Sequence, residues 1–422
     1  MKRNGAIVSE HPLPGAFTPE LLVLQQGSGA RVTDVAGKEY LDFGAGIAVN
    51  ALGYGRDDLA DVAAAQMRRL IHVSNLYASE PGVALAEKLL AAAPGGDFAT
   101  VQFTNSGSEA NETALKMARL YATRRASAAG DDGAAPPRRI ACFSGAFHGR
   151  TMGALSCTPT AKYQEPFAPL IPEIEVLPYN DADAARKVLD GSFCGVIVEV
   201  VQGEGGLDRM TDAFAAALNE LCEQHDIVLI ADEVQTCLAR TGRLFASELV
   251  GLHPDIITMA KPLAGGLPLA ATLLPKKIDD LLQIGDHGTT FGGGPVTCAV
   301  GSAVWDTVAD TAFVEAVASK GAHLADGLRS LAAKYPRWLG ETKGAGLLLG
   351  VRVLGEAKAA PGQEAATEPA ITRLMGMLRE AGLLTLKSGA DVLRIAPPLI
   401  VTAADLDEGL AKIDSAVAAL EE

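Results

Sequence analysis

Between Val101 and Leu274 one pattern recurs: a short apolar run, then polar or glycine-rich residues, often with an amphipathic stretch before the next run. The runs cover 101–103, 140–143, 174–177, 196–201, 227–231, 256–259 and 269–274. Near-continuous apolar runs of this length read as buried strands of a parallel sheet. Helical periodicity fills several of the gaps, most clearly at 109–122 and 212–224. The alternation predicts an α/β architecture, with a mostly parallel seven-stranded sheet flanked by helices on both faces. In such a sheet a ligand lies outside the carboxyl ends of the strands. The polar clusters of this chain follow strands, where that rule puts a site.

The flanks are shorter in pattern. Residues 29–43 read as a hairpin turning at Ala36-Gly37, within an otherwise irregular stretch to about 55. A helix is expected from Asp57 to about Leu70, with Leu59, Val62, Ala63 and Met67 on one face, and another over 82–93. A helical run over about 299–335 leads to a smaller unit with strands at 347–353 and 392–395 and helices at 370–381 and 404–420. Residues 126–139 read as an exposed loop and 355–369 as a mobile surface loop. The expected division is an N-terminal segment, 1–55, joining the small domain; a large domain, 56–305; and a C-terminal small domain, 306–422. The termini together then form a smaller α+β domain.

Charge and cysteine usage narrow the partners. The net charge of −15, from 36 basic and 51 acidic side chains, argues against nucleic acid or an anionic membrane. A few arginines in a cleft can still take an anionic substrate. Six scattered cysteines without C-x-x-C spacing read as reduced thiols of a cytoplasmic protein, with neither a disulfide framework nor a metal site. No apolar run is long enough to span a membrane. Lys2-Arg3 has the charge of a signal peptide's start, but Glu10 and His11 precede any apolar stretch.

Seven stretches carry chemistry. Asp232 ends the run 227–231, and Lys261 follows the run 256–259. An amine and a carboxylate at neighbouring strand ends suit pyridoxal phosphate, which needs a Schiff-base amine and a partner for its pyridinium nitrogen. Two ordinary strands with polar ends would look the same. Thr104-Asn-Ser-Gly-Ser-Glu-Ala-Asn111 opens a helix, with Ser106 and Glu109 at capping-box spacing and Gly107 allowing close backbone approach. Such a helix start favours phosphate, although a plain capped helix is the commoner case. Phe147 could stack on a planar ring, and Arg150 could clamp a carboxylate through paired hydrogen bonds. His148 has no neighbouring Ser or Cys at a nucleophile elbow, so no triad is assigned to it. Glu204 sits between glycines on a loop, Gly288-Thr-Thr-Phe-Gly-Gly-Gly294 offers hydroxyls to phosphate, and Arg394 interrupts an apolar strand. A solvated loop acid, a glycine-rich connector and an edge-strand cation are the bland versions of these three. Together the set fits pyridoxal phosphate better than other cofactors.

Over nearly its whole length the chain resembles the class III (subgroup II) aminotransferases of fold type I, and most closely the acetylornithine group. The likeness is carried by Asn105-Ser-Gly-Ser-Glu-Ala-Asn111, Phe147-His-Gly-Arg-Thr151, Gln202-Gly-Glu-Gly-Gly206, Asp232-Glu-Val-Gln-Thr236, Lys261 and His287-Gly-Thr-Thr-Phe-Gly-Gly293. The resemblance implies that Lys261 bonds the cofactor and that Asp232 keeps the pyridine nitrogen protonated. It implies Gln235 near the ring oxygen, Phe147 on the ring face, and Gly107 and Ser108 at the phosphate. Glu233 and Val234 join the cofactor contacts. Thr290 would reach the phosphate of the neighbouring subunit, making a homodimer with shared active sites. Arg150 and Thr289 would contact the amine substrate. Arg394 would hold an α-carboxylate, and Glu204 would pair with it and swing away when glutamate binds.

Several positions depart from the family pattern: Cys237-Leu-Ala239 for Gly-x-Gly, Ala264 for Gly, Gly294 for Asn, and Tyr54 for His. The implied reaction is transfer of a terminal amine from N2-acetylornithine to 2-oxoglutarate, giving N-acetylglutamate 5-semialdehyde and glutamate, as in arginine biosynthesis. The wording of 146–156 favours that donor. Alternatives are ornithine, 4-aminobutyrate, succinyldiaminopimelate, carrier-linked aminoadipate semialdehyde, an aminomutase, or a non-catalytic protein of the same fold.

Overall fold

The computed structural model describes residues 7–8, 21–128, 135–358 and 367–420. Lys2-Arg3, Glu10 and His11, residues 129–134 of one expected loop and 359–366 of the other lie outside them.

Seven strands build the central sheet: β1 (Phe98–Thr104), β2 (Arg139–Phe143), β3 (Ile174–Leu177), β4 (Phe193–Val198), β5 (Val228–Asp232), β6 (Ile256–Met259) and β7 (Ala270–Pro275). Their spatial order is β1-β7-β6-β5-β4-β2-β3. All are parallel except β7, which runs antiparallel to both β6 and β1. The link between β6 and β7 is too short for a helical crossover, so β7 must return antiparallel. β4, β5, β6 and β7 are buried at every residue, as strands covered on both faces should be. One apolar core lies on each side: Leu229, Ala231, Ile257 and Met259 face one, and Val228, Ile230 and Ile256 face the other. The second core is closed by the long helix Gly107–Ala128, through Ala114, Leu115, Met117 and Ala118.

A separate core gathers the chain's two ends, with Leu41 and Phe43 packed among Val317, Leu324, Leu349, Leu393 and Leu406. Its sheet orders Leu339–Ala345, Leu348–Val353, Val392–Ile395 and Leu386–Ser388 in that sequence. The expected hairpin is present as Arg31–Asp34 and Glu39–Asp42, with Leu24–Ser28 added as a third strand. Among the described residues no helix is long and apolar enough to cross a membrane.

Five local expectations need correction. Met67 is exposed and Gln66 is buried instead, its amide donating to Leu70 O at 3.0 Å as the helix Asp57–Arg69 ends. The expected run 299–335 is two helices, Pro295–Val308 and Thr311–Lys334, because Asp310 accepts from Phe313 N at 3.0 Å and starts a new one. The fourth strand stops at Val198, so Glu199 begins a loop. The helix Gly107–Ala128 runs through 126–128, where a loop was expected. Within 355–369, Glu356–Lys358 pairs with Thr367–Pro369 as a two-stranded ribbon.

Candidate active site

The carboxyl ends of β1, β2, β4, β5 and β6 point the same way and converge on a cavity of about 400 Å³, a size within the usual range for a cofactor site. Each strand end delivers one part of the wall. β1 gives Asn105 to Ser108, β2 gives Phe147 to Gly149, β4 gives Glu199 and Glu204, β5 gives Asp232, Val234 and Gln235, and β6 gives Ala260 and Lys261.

Asp232 is 3% exposed. Its Oδ2 accepts from Asn111 Nδ2 and from His148 Nδ1, both at 2.7 Å, and its Oδ1 accepts from Val234 N at 3.0 Å. Asn111 is fixed in turn, accepting from Thr258 Oγ1 at 2.8 Å and donating to His148 O at 2.7 Å. Burial works against a charge on His148, but the hydrogen bond and charge of Asp232, with the charge of Glu199, outweigh it and raise its pKa. Glu199 is buried and accepts from Phe147 N at 2.9 Å and Gly203 N at 3.2 Å. Burial pushes its pKa up to about 7, against the pull of His148 and with the push of Asp232.

Lys261 lines the same cavity, at φ +25°, a conformation strained for an L residue. Loss of water around its amine, then the nearby Arg394 charge, lowers its pKa to about 8, against Glu204, Asp232 and Glu199. Alternation along the chain after β5 puts Asp232 and Val234 on the cavity side and Glu233 on the other. Glu233, expected among the cofactor contacts, instead accepts from Ala246 N at 2.6 Å and Ser247 N at 2.8 Å. It caps the short turn Ala246–Leu249 and does not line the cavity.

The helix Gly107–Ala128 aims its first turn at the cavity. Ser106 Oγ accepts from Glu109 N at 3.3 Å, but the Glu109 carboxylate reaches back to Asn105 N at 3.0 Å, one residue beyond a capping box. The first helical N–H groups have no intrahelical partner. A Cβ on Gly107 would stand 2.5 Å from Val234 Cγ1, so only glycine lets this turn approach Val234. A flat phosphorylated pyridine fits this donor set. N–H groups at a helix start suit phosphate, Phe147 and Val234 offer apolar surfaces for the ring, Asp232 suits a protonated ring nitrogen, and Lys261 offers an amine.

Arg394 is 3% exposed and interior to its sheet, so it is not an edge cation. Its Nη1 donates to Gly203 O at 2.7 Å, Glu204 Oε1 at 2.6 Å and Gln235 Oε1 at 3.4 Å. Glu204 and Gln235 line the cavity and stand in front of it. Its Nε is buried without a partner among the described residues.

Besides Glu233, and Arg394 behind Glu204 and Gln235, three more expected residues lie outside this wall. Arg150 is exposed, its guanidinium stacked on Tyr163. Thr289 is tied through its carbonyl to Asn75 Nδ2 at 3.1 Å. Thr290 is exposed and lines a neighbouring cavity of about 220 Å³ with His72, Ser74 and Tyr77.

Asn111, His148 and Glu199 were not assigned site roles from sequence. A polar Asn among the mostly apolar buried residues of the helix Gly107–Ala128 was the available signal for the first. Of the departures from the family pattern, Ala239 sits at φ +66°, where glycine is unstrained, whereas Ala264 has no positive φ and the turn is made by Gly265 and Gly266. Tyr54 donates to Asp42 Oδ2 at 2.6 Å and accepts from Asn50 Nδ2 at 3.2 Å.

Comparison with known proteins gives the family. The family profile for class-III aminotransferases matches residues 15–417. The acetylornithine aminotransferase of Neisseria meningitidis is 41% identical, over 95% of each chain. The crystal structure of N-acetylornithine aminotransferase from Stenotrophomonas maltophilia superposes with a TM-score of 0.76 at 33% identity, covering 94% of this chain and 95% of that one. An amine transaminase from an uncultivated Pseudomonas species, in its PLP-bound form, gives 0.86 at 28% identity, covering 97% and 98%. A match across almost the full length, on the fold that brings these strand ends together, makes the chain a member of the class-III aminotransferases.

Proposed function

We propose that this protein is a pyridoxal-phosphate-dependent aminotransferase acting on a terminal amine, with N2-acetylornithine as donor and 2-oxoglutarate as acceptor. The observation that supports this most is the sharing of one cavity by an amine of lowered pKa, Lys261, and a fixed buried carboxylate, Asp232. The names of the relatives support the choice of donor, and with it a step of arginine biosynthesis.

When bound, the cofactor withdraws electrons from a bond to the amine-bearing carbon, which no side chain here can do. The protein's part is to hold and to move protons. Gly107 and Ser108 bind the phosphate through the helix start. Phe147 and Val234 would hold the ring between apolar surfaces, Gln235 would bond a polar group of it, and Asp232 would keep its nitrogen protonated. Asn111 and His148 keep that carboxylate aimed. Lys261 would be the amine that holds the cofactor and the group that moves a proton at the substrate carbon. Arg150 and Thr289 hold the donor's far end. Glu204 neutralises Arg394 while the donor is bound and leaves it free for the α-carboxylate of glutamate or 2-oxoglutarate.

Thr290, away from this cavity, fits a role at the neighbouring subunit's phosphate. The exposed Leu76, Tyr77 and Phe291 nearby support a homodimer. Six free, buried cysteines fit a reducing compartment such as the cytoplasm. The separate core formed by the two ends supports a division into 1–55 plus 306–422 and 56–305. A panel of N-acetylornithine, ornithine, 4-aminobutyrate and succinyldiaminopimelate with 2-oxoglutarate tests the donor. N-acetylornithine should give the highest kcat/KM, and a higher value for another donor would replace it.

A further inference from the structure

Arg150 has an unusual setting for an exposed arginine. Its backbone N donates to Ser108 Oγ at 3.2 Å, but its guanidinium has no hydrogen bond or ion pair among the described residues. What holds it is aromatic. Its Cζ lies 3.5 Å from the centre of the Tyr163 ring and 5.4 Å from that of Phe147. The two rings meet at 6.3 Å and 88°, so Tyr163 also braces Phe147, which lines the cavity.

Tyr163 is itself fixed. It belongs to the short turn Ala161–Gln164, and its N donates to Thr160 O at 2.8 Å. The next residue, Gln164, donates from Nε2 to Leu155 O at 2.9 Å and Ser156 O at 3.3 Å, tying the turn to the segment Met152–Ser156 beside the cavity loop. The ring is half-buried, and its hydroxyl makes no hydrogen bond among the described residues.

Stacking has a chemical consequence that an ion pair would not. An exposed arginine samples many rotamers, and a carboxylate partner would stop this while occupying its N–H groups. A ring restrains the guanidinium through its flat face and leaves the N–H edges open. Those edges are what grips a carboxylate through two parallel bonds. We infer that Tyr163 is a positioning residue for Arg150, holding it at the cavity rim as a pre-set receptor for the carboxylate of the amine donor. The inference rests on the reading of Arg150 as a donor contact.

The test uses the holoenzyme with N-acetylornithine and 2-oxoglutarate. Tyr163→Leu keeps apolar bulk and loses the π face, whereas Tyr163→Phe keeps the face and loses only the hydroxyl. Tyr163→Leu should raise the donor KM about tenfold, with kcat and the visible absorbance of the bound cofactor little changed. Tyr163→Phe should match the wild type, and Arg150→Ala should raise KM at least as far as Tyr163→Leu. If Arg150→Ala raises KM and Tyr163→Leu does not, the inference fails while the role of Arg150 stands. If Arg150→Ala leaves KM unchanged, that role fails and the inference with it. Equal damage from Phe and Leu, or a Leu variant with altered cofactor absorbance, would assign Tyr163 to its hydroxyl or to Phe147 instead, and overturn the inference.

Discussion

A lysine that must act as a nucleophile near neutral pH cannot keep the pKa of a surface lysine. At pH 7.5 an amine with the ordinary value is neutral about one part in a thousand, and one at about 8 is neutral in roughly a quarter of molecules. The lowered value favours the neutral form, so reactivity is gained as pH rises through it. Uptake of pyridoxal phosphate by the apoprotein, followed by visible absorbance, should accelerate up to about pH 8 and then level off. A rise continuing to pH 10 would mean an unperturbed amine. Asp232 carries the opposite demand, that a negative charge stay fixed. Its three donors from Asn111, His148 and Val234 do this. Asp232→Asn replaces an acceptor-only group with one whose NH2 must face a donor, either Val234 N or the pair His148 and Asn111. Turnover should fall by on the order of a hundredfold or more, measured as single-turnover rate with saturating cofactor; near wild-type turnover would remove Asp232 from the mechanism.

The helix Gly107–Ala128 does more at the scale of elements than cover the sheet. Its start faces the cavity, and further along it anchors the loop that bears Thr289 and Thr290. Thr113 Oγ1 lies 3.0 Å from His287 Nε2, and Lys116 Nζ lies 2.8 Å from His287 Nδ1. Lysine has only protons to give, so Nδ1 accepts and the ring is neutral. Partial burial, then the Lys116 charge, lowers the His287 pKa. A folded-state pKa below the unfolded value means this anchor contributes above the ordinary histidine range and is lost on acidification. Hydrogen-exchange protection factors in 288–294, corrected for the intrinsic rate at each pH, should fall at acid pH in the wild type and be low at all pH values in His287→Ala. Equal protection in both would rule out the anchor. At the other end, Gly107→Ala would press a methyl on Val234. It should weaken cofactor binding roughly tenfold or more, read by titration of the apoprotein; unchanged affinity would mean that the turn moves freely.

The middle of the sheet was legible because its strands are buried on both faces and therefore mostly apolar, as in Val228, Leu229, Ile230 and Ala231 or Ile256, Ile257 and Met259. Leu339–Ala345 was not, because its Gly, Glu, Thr and Lys give neither an apolar run nor alternation, and only pairing with Leu348–Val353 makes it a strand. The same divide runs through the site. Asp232, Lys261 and Gly107 follow strands and announce themselves by position. His148 and Asn111 act on Asp232 through contacts 84 and 121 residues away in sequence, and a local pattern can mark Asn111 as a buried polar residue but not name its partner. Glu233 misled because it shares a motif with Asp232 but points to the opposite side of the chain.

For the molecule as a whole, the site draws on both cores: Lys261 and Asp232 come from the central sheet, and Arg394, from the sheet formed by the chain's ends, backs the cavity through Glu204 and Gln235. A ligand seated there binds the folded form alone and should stabilise it by about 2.7 kcal/mol at a hundred times its Kd, seen as a higher Tm for holoprotein than for apoprotein. No shift would mean that cofactor and fold are uncoupled. The most direct test is chemical. Holoprotein treated with borohydride and digested should carry the reduced cofactor on the peptide containing Lys261, bonded at Nζ. Recovery of that peptide unmodified, with the cofactor on another lysine or on none, would contradict the account.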